Sequence, residues 1–207
     1  MIKTTIGFVV LTLALSMSAM ADETPEKARI ASSEAEKSFR VLATNKTSTL
    51  DKELNEAAAH GYIFEAVMGG QTLAGDEVVV VMSKLPDAKA DRMRYALLAT
   101  NKTSTMKKEL RDMGALGFVY RGQSVAETTF GGQQVIVILE RDTTESGAQY
   151  DYQLLATTRT STMQKELNKL AGSGFEVKGL TVAKTAFGGN ELVTILSRRH
   201  TSAAGDR

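Results

Sequence analysis

The segment Leu97-Leu-Ala-Thr-Asn-Lys-Thr-Ser-Thr-Met106 decides the fold, because the chain contains it in three copies. The other two are Val41-Leu-Ala-Thr-Asn-Lys-Thr-Ser-Thr-Leu50 and Leu154-Leu-Ala-Thr-Thr-Arg-Thr-Ser-Thr-Met163. The copies begin at positions 41, 97 and 154, so they are spaced by 56 and 57 residues. Self-similarity at one period indicates tandem copies of a supersecondary unit. We place these repeats at residues 39–84, 93–142 and 150–199.

Each repeat is predicted to fold as a strand, a helix and a hairpin, which makes the protein α+β with three tandem βαββ repeats. The first strands place an aromatic and an aliphatic residue at alternating positions, as Tyr95 and Leu97 show, and this is the period of a strand with one face on a core. Apolar residues at helical spacing, such as Leu50 and Leu54, follow the polar Thr-Ser-Thr stretch. Glycines stand where each helix is expected to end, at Gly61, Gly117 and Gly174.

The third strand of each repeat is almost continuously apolar, which is typical of a strand covered on both faces. One helix covers only one face of a three-stranded sheet, so the other face needs a neighbouring unit. A repeat of this size without cysteine buries too little surface to be stable alone. We therefore predict sheets inside and helices outside, and favour closure with pseudo-threefold symmetry over a linear array with exposed ends.

Residues 1–21 have the features of a signal peptide. Lys3 gives a positive start, residues 6–17 form an apolar run, and Ala19-Met20-Ala21 fits the small-x-small pattern of a cleavage site. The run is too short to span a bilayer. We expect cleavage after Ala21, no membrane span afterwards, and a periplasmic or secreted protein.

Composition argues against several kinds of partner. Removal of the signal peptide takes away one lysine and no acidic residue, which leaves 24 basic and 24 acidic side chains. Such a chain offers no basic field to nucleic acid, and with no Trp and 6% aromatic residues it supplies few stacking surfaces.

The charged N-terminal segment 22–38 is predicted to be a frayed helix or a tether, and residues 200–207 a disordered tail.

Three short motifs recur in the repeats: a first strand with Tyr, a helix carrying Leu-Asn, and Gly-Phe-Glu at the start of the hairpin. The third repeat carries them as Tyr152-x-Leu154-Leu155, Leu167-Asn168 and Gly174-Phe175-Glu176, and the other repeats carry weaker copies. With these motifs the repeat resembles a small bacterial βαββ domain family of unknown function. The chain differs in having Phe or Tyr where Trp is frequent in that family, and in its Thr/Ser-rich block. The resemblance implies the βαββ fold and no particular chemistry.

The sequence offers little equipment for catalysis. Nucleophilic catalysis needs a hydroxyl or thiol beside an oriented base, but the two histidines, His60 and His200, have no counterparts in the other repeats. No metal-ligand spacing is present and no cofactor is expected. We predict a protein that is not an enzyme, and keep a hydrolase with an unrecognised Ser/Thr site as the weakest alternative.

The repeated polar block is the candidate binding site. It places a basic residue beside Thr-Ser-Thr at a helix start, where free amides and the helix dipole favour an anion. Plain helix capping by a hydroxyl is the simpler interpretation. The candidate residues are Lys46, Thr47, Ser48, Thr49, Lys102, Thr103, Ser104, Thr105, Arg159, Thr160, Ser161 and Thr162. Three glutamates are predicted to support them by pairing with the basic residue or accepting from a Thr hydroxyl: Glu53, Glu109 and Glu166.

Taken together, these patterns predict an exported non-catalytic repeat protein that acts by binding or structural interaction in the cell envelope. The alternative within this class is a binder of anionic small molecules or acidic glycans through the Thr/Ser-basic helix N-termini. The partner itself is not identifiable from the sequence, and an oligomer is compatible with the small size of each repeat.

Overall fold

A computed structural model of the chain describes residues 36–127, 132–184 and 189–200. In this part of the chain there are nine strands and three helices: β1 Ser38–Thr44, α1 Thr47–Ala59, β2 Ile63–Thr72, β3 Gly75–Lys84, β4 Met93–Thr100, α2 Thr103–Ala115, β5 Val119–Glu127, β6 Gln133–Asp142, β7 Tyr150–Thr157, α3 Thr160–Ala171, β8 Glu176–Lys184 and β9 Asn190–Arg199. The predicted α+β fold of three tandem βαββ units, called units 1, 2 and 3 below, is confirmed. The predicted signal peptide, residues 22–35 and the tail after His200 lie outside the described residues.

Each unit contains one antiparallel three-stranded sheet whose central strand is the last strand of the unit. The strand orders are β1-β3-β2, β4-β6-β5 and β7-β9-β8, and we call these sheets 1, 2 and 3. A bulge interrupts the pairing of the second strand at the same place in each sheet, at Glu65, Arg121 and Lys178. The central position accounts for the apolar sequences of β3, β6 and β9, because a central strand has neighbours at both edges and is easily covered on both faces.

Each helix is followed by a glycine with positive φ, as the sequence predicts. The φ angles are 86° at Gly61, 85° at Gly117 and 79° at Gly174. After the first of these, the Tyr62 N–H donates to the Ala57 carbonyl at 3.1 Å and the Gly61 N–H donates to the Ala58 carbonyl at 2.9 Å. This pair of bonds is the Schellman termination, in which the left-handed residue is most easily a glycine.

Helices α1 and α2 lie between two sheets, which differs from the predicted arrangement with helices outside. Leu50 and Leu54 of α1 belong to one buried cluster with Val80 of sheet 1 and with Ile136 and Ile138 of sheet 2. The second cluster encloses α2 between sheets 2 and 3 in the same way. Each core therefore combines residues of two consecutive units, and we call the two contact regions junction 1–2 and junction 2–3.

The units stack one after another as a linear array. The sequence had made this arrangement the alternative to the favoured pseudo-threefold closure. Extensive contacts join α1 to β4, β2 to β5, α2 to β7 and β5 to β8. At the start of the array, Phe39 is 62% exposed, whereas the equivalent Tyr95 and Tyr152 are 5% and 4% exposed. Closure is not needed to cover sheets 2 and 3, because the helix of the preceding unit covers the second face of each.

Candidate functional site

The Thr-Ser-Thr block forms the first turn of each helix, and the basic residue before it holds the N-cap position. At Lys102 the backbone is extended, with φ −111° and ψ 113°. The Lys102 N–H donates to Thr100 Oγ1 at 3.1 Å, and the same bond joins Lys46 to Thr44 at 3.1 Å. Arg159 repeats it with Thr157 at 3.2 Å. The threonine that ends each first strand thus supports the turn into the helix.

The block hydroxyls do not cap the helices, which corrects the interpretation of the block as a capping sequence. No side-chain oxygen caps any of the three described helices, and none has an acidic residue in its first turn. The reason is that a side-chain cap must come from the N-cap position, and the basic residue there has no acceptor atom. Among the described residues these hydroxyls make no hydrogen bond, so they remain available to a ligand: Thr47, Ser48, Thr49, Thr103, Ser104, Thr105, Thr160, Ser161 and Thr162.

The three glutamates predicted to support the blocks do not contact them. Within the described residues Glu53, Glu109 and Glu166 form no ion pair, and the nearby Lys52 instead lies 3.6 Å from Glu56. One oxygen of Glu109 is buried without a partner. The glutamates are half-buried beside the core while the basic N-cap residues are exposed, so the two groups lie in different environments and the expected pairs do not form.

A cavity of about 300 Å³ opens at the N-terminus of α2, between units 2 and 3. Its floor is apolar and consists of side chains from both units: Met106, Val135, Leu154, Ala183 and Val193. Its rim is polar and is formed by Thr100, Asn101, Lys102, Thr103, Gln133, Lys184 and Glu191. The cavity therefore combines a polar mouth with an apolar interior, which is the usual composition of a small-molecule site.

The rim carries a positive balance of charge. Two lysines, Lys102 and Lys184, face one carboxylate, Glu191, and none of the three forms an ion pair within the described residues. The Lys184 N–H donates to Gln133 Oε1 at 3.3 Å, and Gln133 Nε2 donates to Glu127 at 2.7 Å, so hydrogen bonds fix the Gln133 side chain. The arrangement suits a compound with an anionic head and an apolar body.

The structure brings only part of the predicted site together. Lys102 and Thr103 line the cavity, whereas the blocks of α1 and α3 do not. Three residues that the repeat pattern did not single out, Gln133, Lys184 and Glu191, complete the rim. They lie at the hairpin ends of their strands, and antiparallel pairing brings those ends level with the helix start. The register of the strands is the signal that would have identified them.

Neither histidine lies at this cavity. His60 Nδ1 is 2.8 Å from the Glu56 carbonyl oxygen, and His200 Nδ1 is 3.2 Å from Asp151 Oδ1. No hydroxyl group of the described residues is hydrogen-bonded to either ring. Over the described ranges no cluster of three or more His, Asp or Glu side chains is placed to hold a metal ion.

No family model, curated protein or solved structure matches this chain. The resemblance to a small bacterial βαββ family therefore stays a prediction. In residues 36–127, 132–184 and 189–200, no helix has the length and apolar character needed to cross a membrane.

Proposed function

We propose that the chain is an exported, non-catalytic repeat protein of the cell envelope that acts by binding, and that its ligand is a small anionic molecule with an apolar body. One observation carries this proposal. Lys102 of unit 2 and Lys184 of unit 3 stand at the mouth of one apolar cavity, without a carboxylate partner in the described residues.

The electrostatics of the mouth favour an anion over a neutral ligand. The helix dipole places partial positive charge at the start of α2, where the first turn has neither an acidic residue nor a side-chain cap. A bound carboxylate or phosphate would accept from the amides of this turn, from the Thr103 hydroxyl and from two ammonium groups. Among the described residues that line the cavity, Glu191 is the one acidic side chain, so these residues give the mouth a positive balance.

The floor sets the size and character of the ligand. A volume of about 300 Å³ lies at the lower end of the range for small-molecule sites. The Met106 and Leu154 side chains are 2% and 6% exposed, so the core holds the floor of the cavity in place. An acidic glycan has no apolar body to fill this space, and would instead contact the exposed blocks of all three units.

A thermal-shift experiment tests the proposal. The chain without its predicted signal peptide, residues 22–207, is melted with octanoate, with inorganic phosphate and with a polyuronate. A ligand bound only by the folded state raises the melting temperature. We expect octanoate to raise it most, because it supplies both head group and body, and we expect Lys102→Ala combined with Lys184→Ala to abolish the rise.

Matched variants separate the cavity from the repeated blocks. Lys46→Ala and Arg159→Ala remove the equivalent basic residues outside this cavity, and we expect the octanoate shift to persist in both. Loss of the shift in all of these variants, with a larger response to the polyuronate, would favour the acidic-glycan alternative. Absence of a shift with every compound would contradict small-ligand binding at this site.

A further inference from the structure

We propose that the two ends of the array bind each other, so that copies of this chain associate head to tail. The sheet end is the outer face of sheet 1, with Phe39, Val41, Ala66 and Met68. The helix end is the outer surface of α3 and β8, with Gln164, Asn168, Val177 and Leu180. At the sheet end Lys37 Nζ lies 5.2 Å from the centre of the Phe39 ring and Ser83 is buried beside Glu65, but no other unit packs on either end among the described residues. The association proposed here is independent of the ligand cavity.

The inner junctions show what each end is built to contact. In both, the helix and second strand of one unit pack on the second face of the next sheet. Unit 1 has no preceding helix among the described residues, and Phe39 and Val41 are each 62% exposed. At the other end, Val177 and Leu180 are 54% and 61% exposed. Each inner junction joins a helix face to a sheet face. One sheet face and one helix face of this kind therefore lie without a partner unit, at opposite ends of the described array.

Hydrogen bonds at junction 1–2 define a specific register. Asn55 of α1 binds the outer edge of β4 twice: its Nδ2 donates to the Tyr95 carbonyl at 3.1 Å, and the Tyr95 N–H donates to its Oδ1 at 3.0 Å. One turn earlier, Asp51 Oδ1 accepts from the Leu97 N–H at 3.0 Å. The two side chains thus satisfy backbone groups of an edge strand, as a neighbouring strand would.

The helix end carries amide side chains at the positions of Asp51 and Asn55, whereas α2 has Lys107 and Arg111 there. Asn168 of α3 is equivalent to Asn55, and Gln164 is equivalent to Asp51, although no further sheet packs on α3 among the described residues. Both are exposed, and Gln164 Nε2 donates to Asn168 Oδ1 at 3.1 Å. On β1, Phe39 pairs with β3 in the register in which Tyr95 pairs with β6, so its N–H and C=O point outward from the sheet edge.

The strand contacts are complementary in volume. At junction 1–2 a methyl group on Gly122 would lie 2.9 Å from Val67 and 3.0 Å from the Phe64 ring, so a larger residue there would force these side chains to move. Gly179 is crowded by Tyr120 in the same way at junction 2–3. At the free ends both partners change together: the sheet end has Ala66 in place of glycine, and the helix end has Val177 in place of Phe64 or Tyr120. In the proposed contact Ala66, which is larger than the glycine of the inner junctions, would therefore meet Val177, which is smaller than their aromatic residue.

The copy-to-copy contact is weaker than the inner junctions. The Tyr152 hydroxyl donates to the Phe118 carbonyl of the preceding unit at 3.0 Å, and the Tyr95 hydroxyl accepts from the Phe64 N–H of its preceding unit at 2.8 Å. The equivalent Phe39 has no hydroxyl. We therefore expect reversible association that depends on concentration, and a head-to-tail contact leaves free ends, so growth continues past the dimer.

Sedimentation velocity of residues 22–207 over a wide concentration range tests this inference. The expected result is a mass that rises with concentration beyond that of a dimer. Phe39→Asp blocks the sheet end, and Val177→Asp with Leu180→Asp blocks the helix end, so each variant alone should be monomeric. Leu116→Asp, at an exposed position in the middle unit, is the matched control and should associate like the parent chain.

Mixing the two blocked variants gives the sharpest outcome. Each retains one good end, so the mixture should form a complex of one copy of each and nothing larger. Phe39→Tyr restores the hydroxyl of the inner junctions and should strengthen association of the parent chain. Circular dichroism of every variant checks that the exposed substitutions leave the fold intact.

Several results would overturn the inference. A parent chain that stays monomeric at all concentrations would do so, as would a dimer that survives either blocked end. Slow hydrogen exchange of the outward Phe39 and Val41 amides in the dilute monomer would show that another part of the same chain covers the sheet end. An association constant unchanged by Phe39→Tyr would contradict the register.

Discussion

The Tyr95 hydroxyl donates a hydrogen bond to Glu140 Oε2 at 2.6 Å inside junction 1–2. The same hydroxyl accepts from the Phe64 N–H at 2.8 Å, so one side chain of unit 2 links its own sheet to the backbone of unit 1. Burial, together with the hydrogen bond to the Glu140 carboxylate, raises the pKa of Tyr95 far above its ordinary value. The phenol therefore stays protonated and donates this hydrogen bond over the pH range in which proteins are ordinarily studied.

Removal of this hydroxyl should loosen junction 1–2. We expect Tyr95→Phe to lower the free energy of unfolding by about 1–3 kcal/mol, because the buried Phe64 N–H loses its partner. Urea denaturation measures the change. Tyr62→Phe is the control, since within the described part of the chain the Tyr62 hydroxyl makes no hydrogen bond. Equal losses in the two variants would show that the hydroxyl bond does not stabilise the junction.

Two glycines near the C-terminal ends of helices, Gly114 in the last turn of α2 and Gly172 at the C-cap of α3, should respond oppositely to alanine. A methyl group on Gly114 would lie 2.1 Å from the Tyr150 carbonyl oxygen and 2.8 Å from the Tyr152 ring. We expect Gly114→Ala to destabilise the protein by about 1–3 kcal/mol through overpacking, despite the better helix propensity of alanine. Gly172 has φ −61° and no atom nearer than 3.5 Å to the added carbon. Gly172→Ala should therefore be stabilising by about 0.4–1 kcal/mol, and thermal unfolding distinguishes the two signs.

Asn55 and Asn168 provide a test of the edge-strand bonds within one molecule. Asn55→Ala removes the partner of the Tyr95 N–H and carbonyl, and should cost about 1–3 kcal/mol of unfolding free energy. Asn168→Ala removes an exposed side chain whose one bond among the described residues is to Gln164, and at low protein concentration should leave stability unchanged. Denaturant unfolding at micromolar concentration gives both values. A loss in Asn168→Ala as large as that in Asn55→Ala would contradict the assigned role.

Acid should weaken the contact between Asp142 and Arg92. The Arg92 guanidinium donates to Asp142 at 2.8 Å and the Thr144 hydroxyl donates to it at 2.6 Å, and these bonds lower the pKa of Asp142 to about 2. A carboxyl with a lowered native pKa stabilises the fold fully above its unfolded pKa, near 4, and loses this contribution as the pH falls through about 2.

The comparison of the parent chain with Asp142→Asn measures this contribution. The difference in urea midpoint should be constant above about pH 4 and should shrink toward zero near pH 2. Asp87→Asn, an exposed substitution in the segment between β3 and β4 that also contains Arg92, controls for loss of a surface carboxylate. Because Arg92 is half exposed, added salt should reduce the difference. A difference that does not change with pH would contradict the prediction.

The elements of the fold could be predicted because each depends on a local pattern. Alternation identified the first strands, helical spacing identified the helices, and Gly61, Gly117 and Gly174 marked the helix stops. The placement of α1 and α2 between sheets was not predicted, because a single helix face of leucines looks the same whether one sheet or two lie beside it. The sequence does contain one sign of it: Ala57 and Ala58 are adjacent, both are fully buried, and two small neighbouring residues of this kind indicate a helix covered from two sides.

The candidate site was only half visible in the sequence. Lys102 and Thr103 have counterparts in every repeat, a basic residue followed by a threonine, and therefore attracted attention. Lys184 and Glu191 reach the same cavity from another unit, and nothing in their local sequence distinguishes them from ordinary surface residues. The capping interpretation failed for a related reason: a Ser/Thr run names the residue types of a helix start, but not which residue has the extended backbone of a cap.

The sharing of each core between consecutive units has a consequence for how such chains can change over time. Loss of the middle unit by recombination would place α1 against β7, whose inward Tyr152 and Leu154 match the Tyr95 and Leu97 that α1 meets now. Gain of a unit would insert a contact of a kind already present. Genes for this architecture can therefore lengthen or shorten in steps of 56 or 57 codons, and every internal surface still packs against a surface of the matching kind.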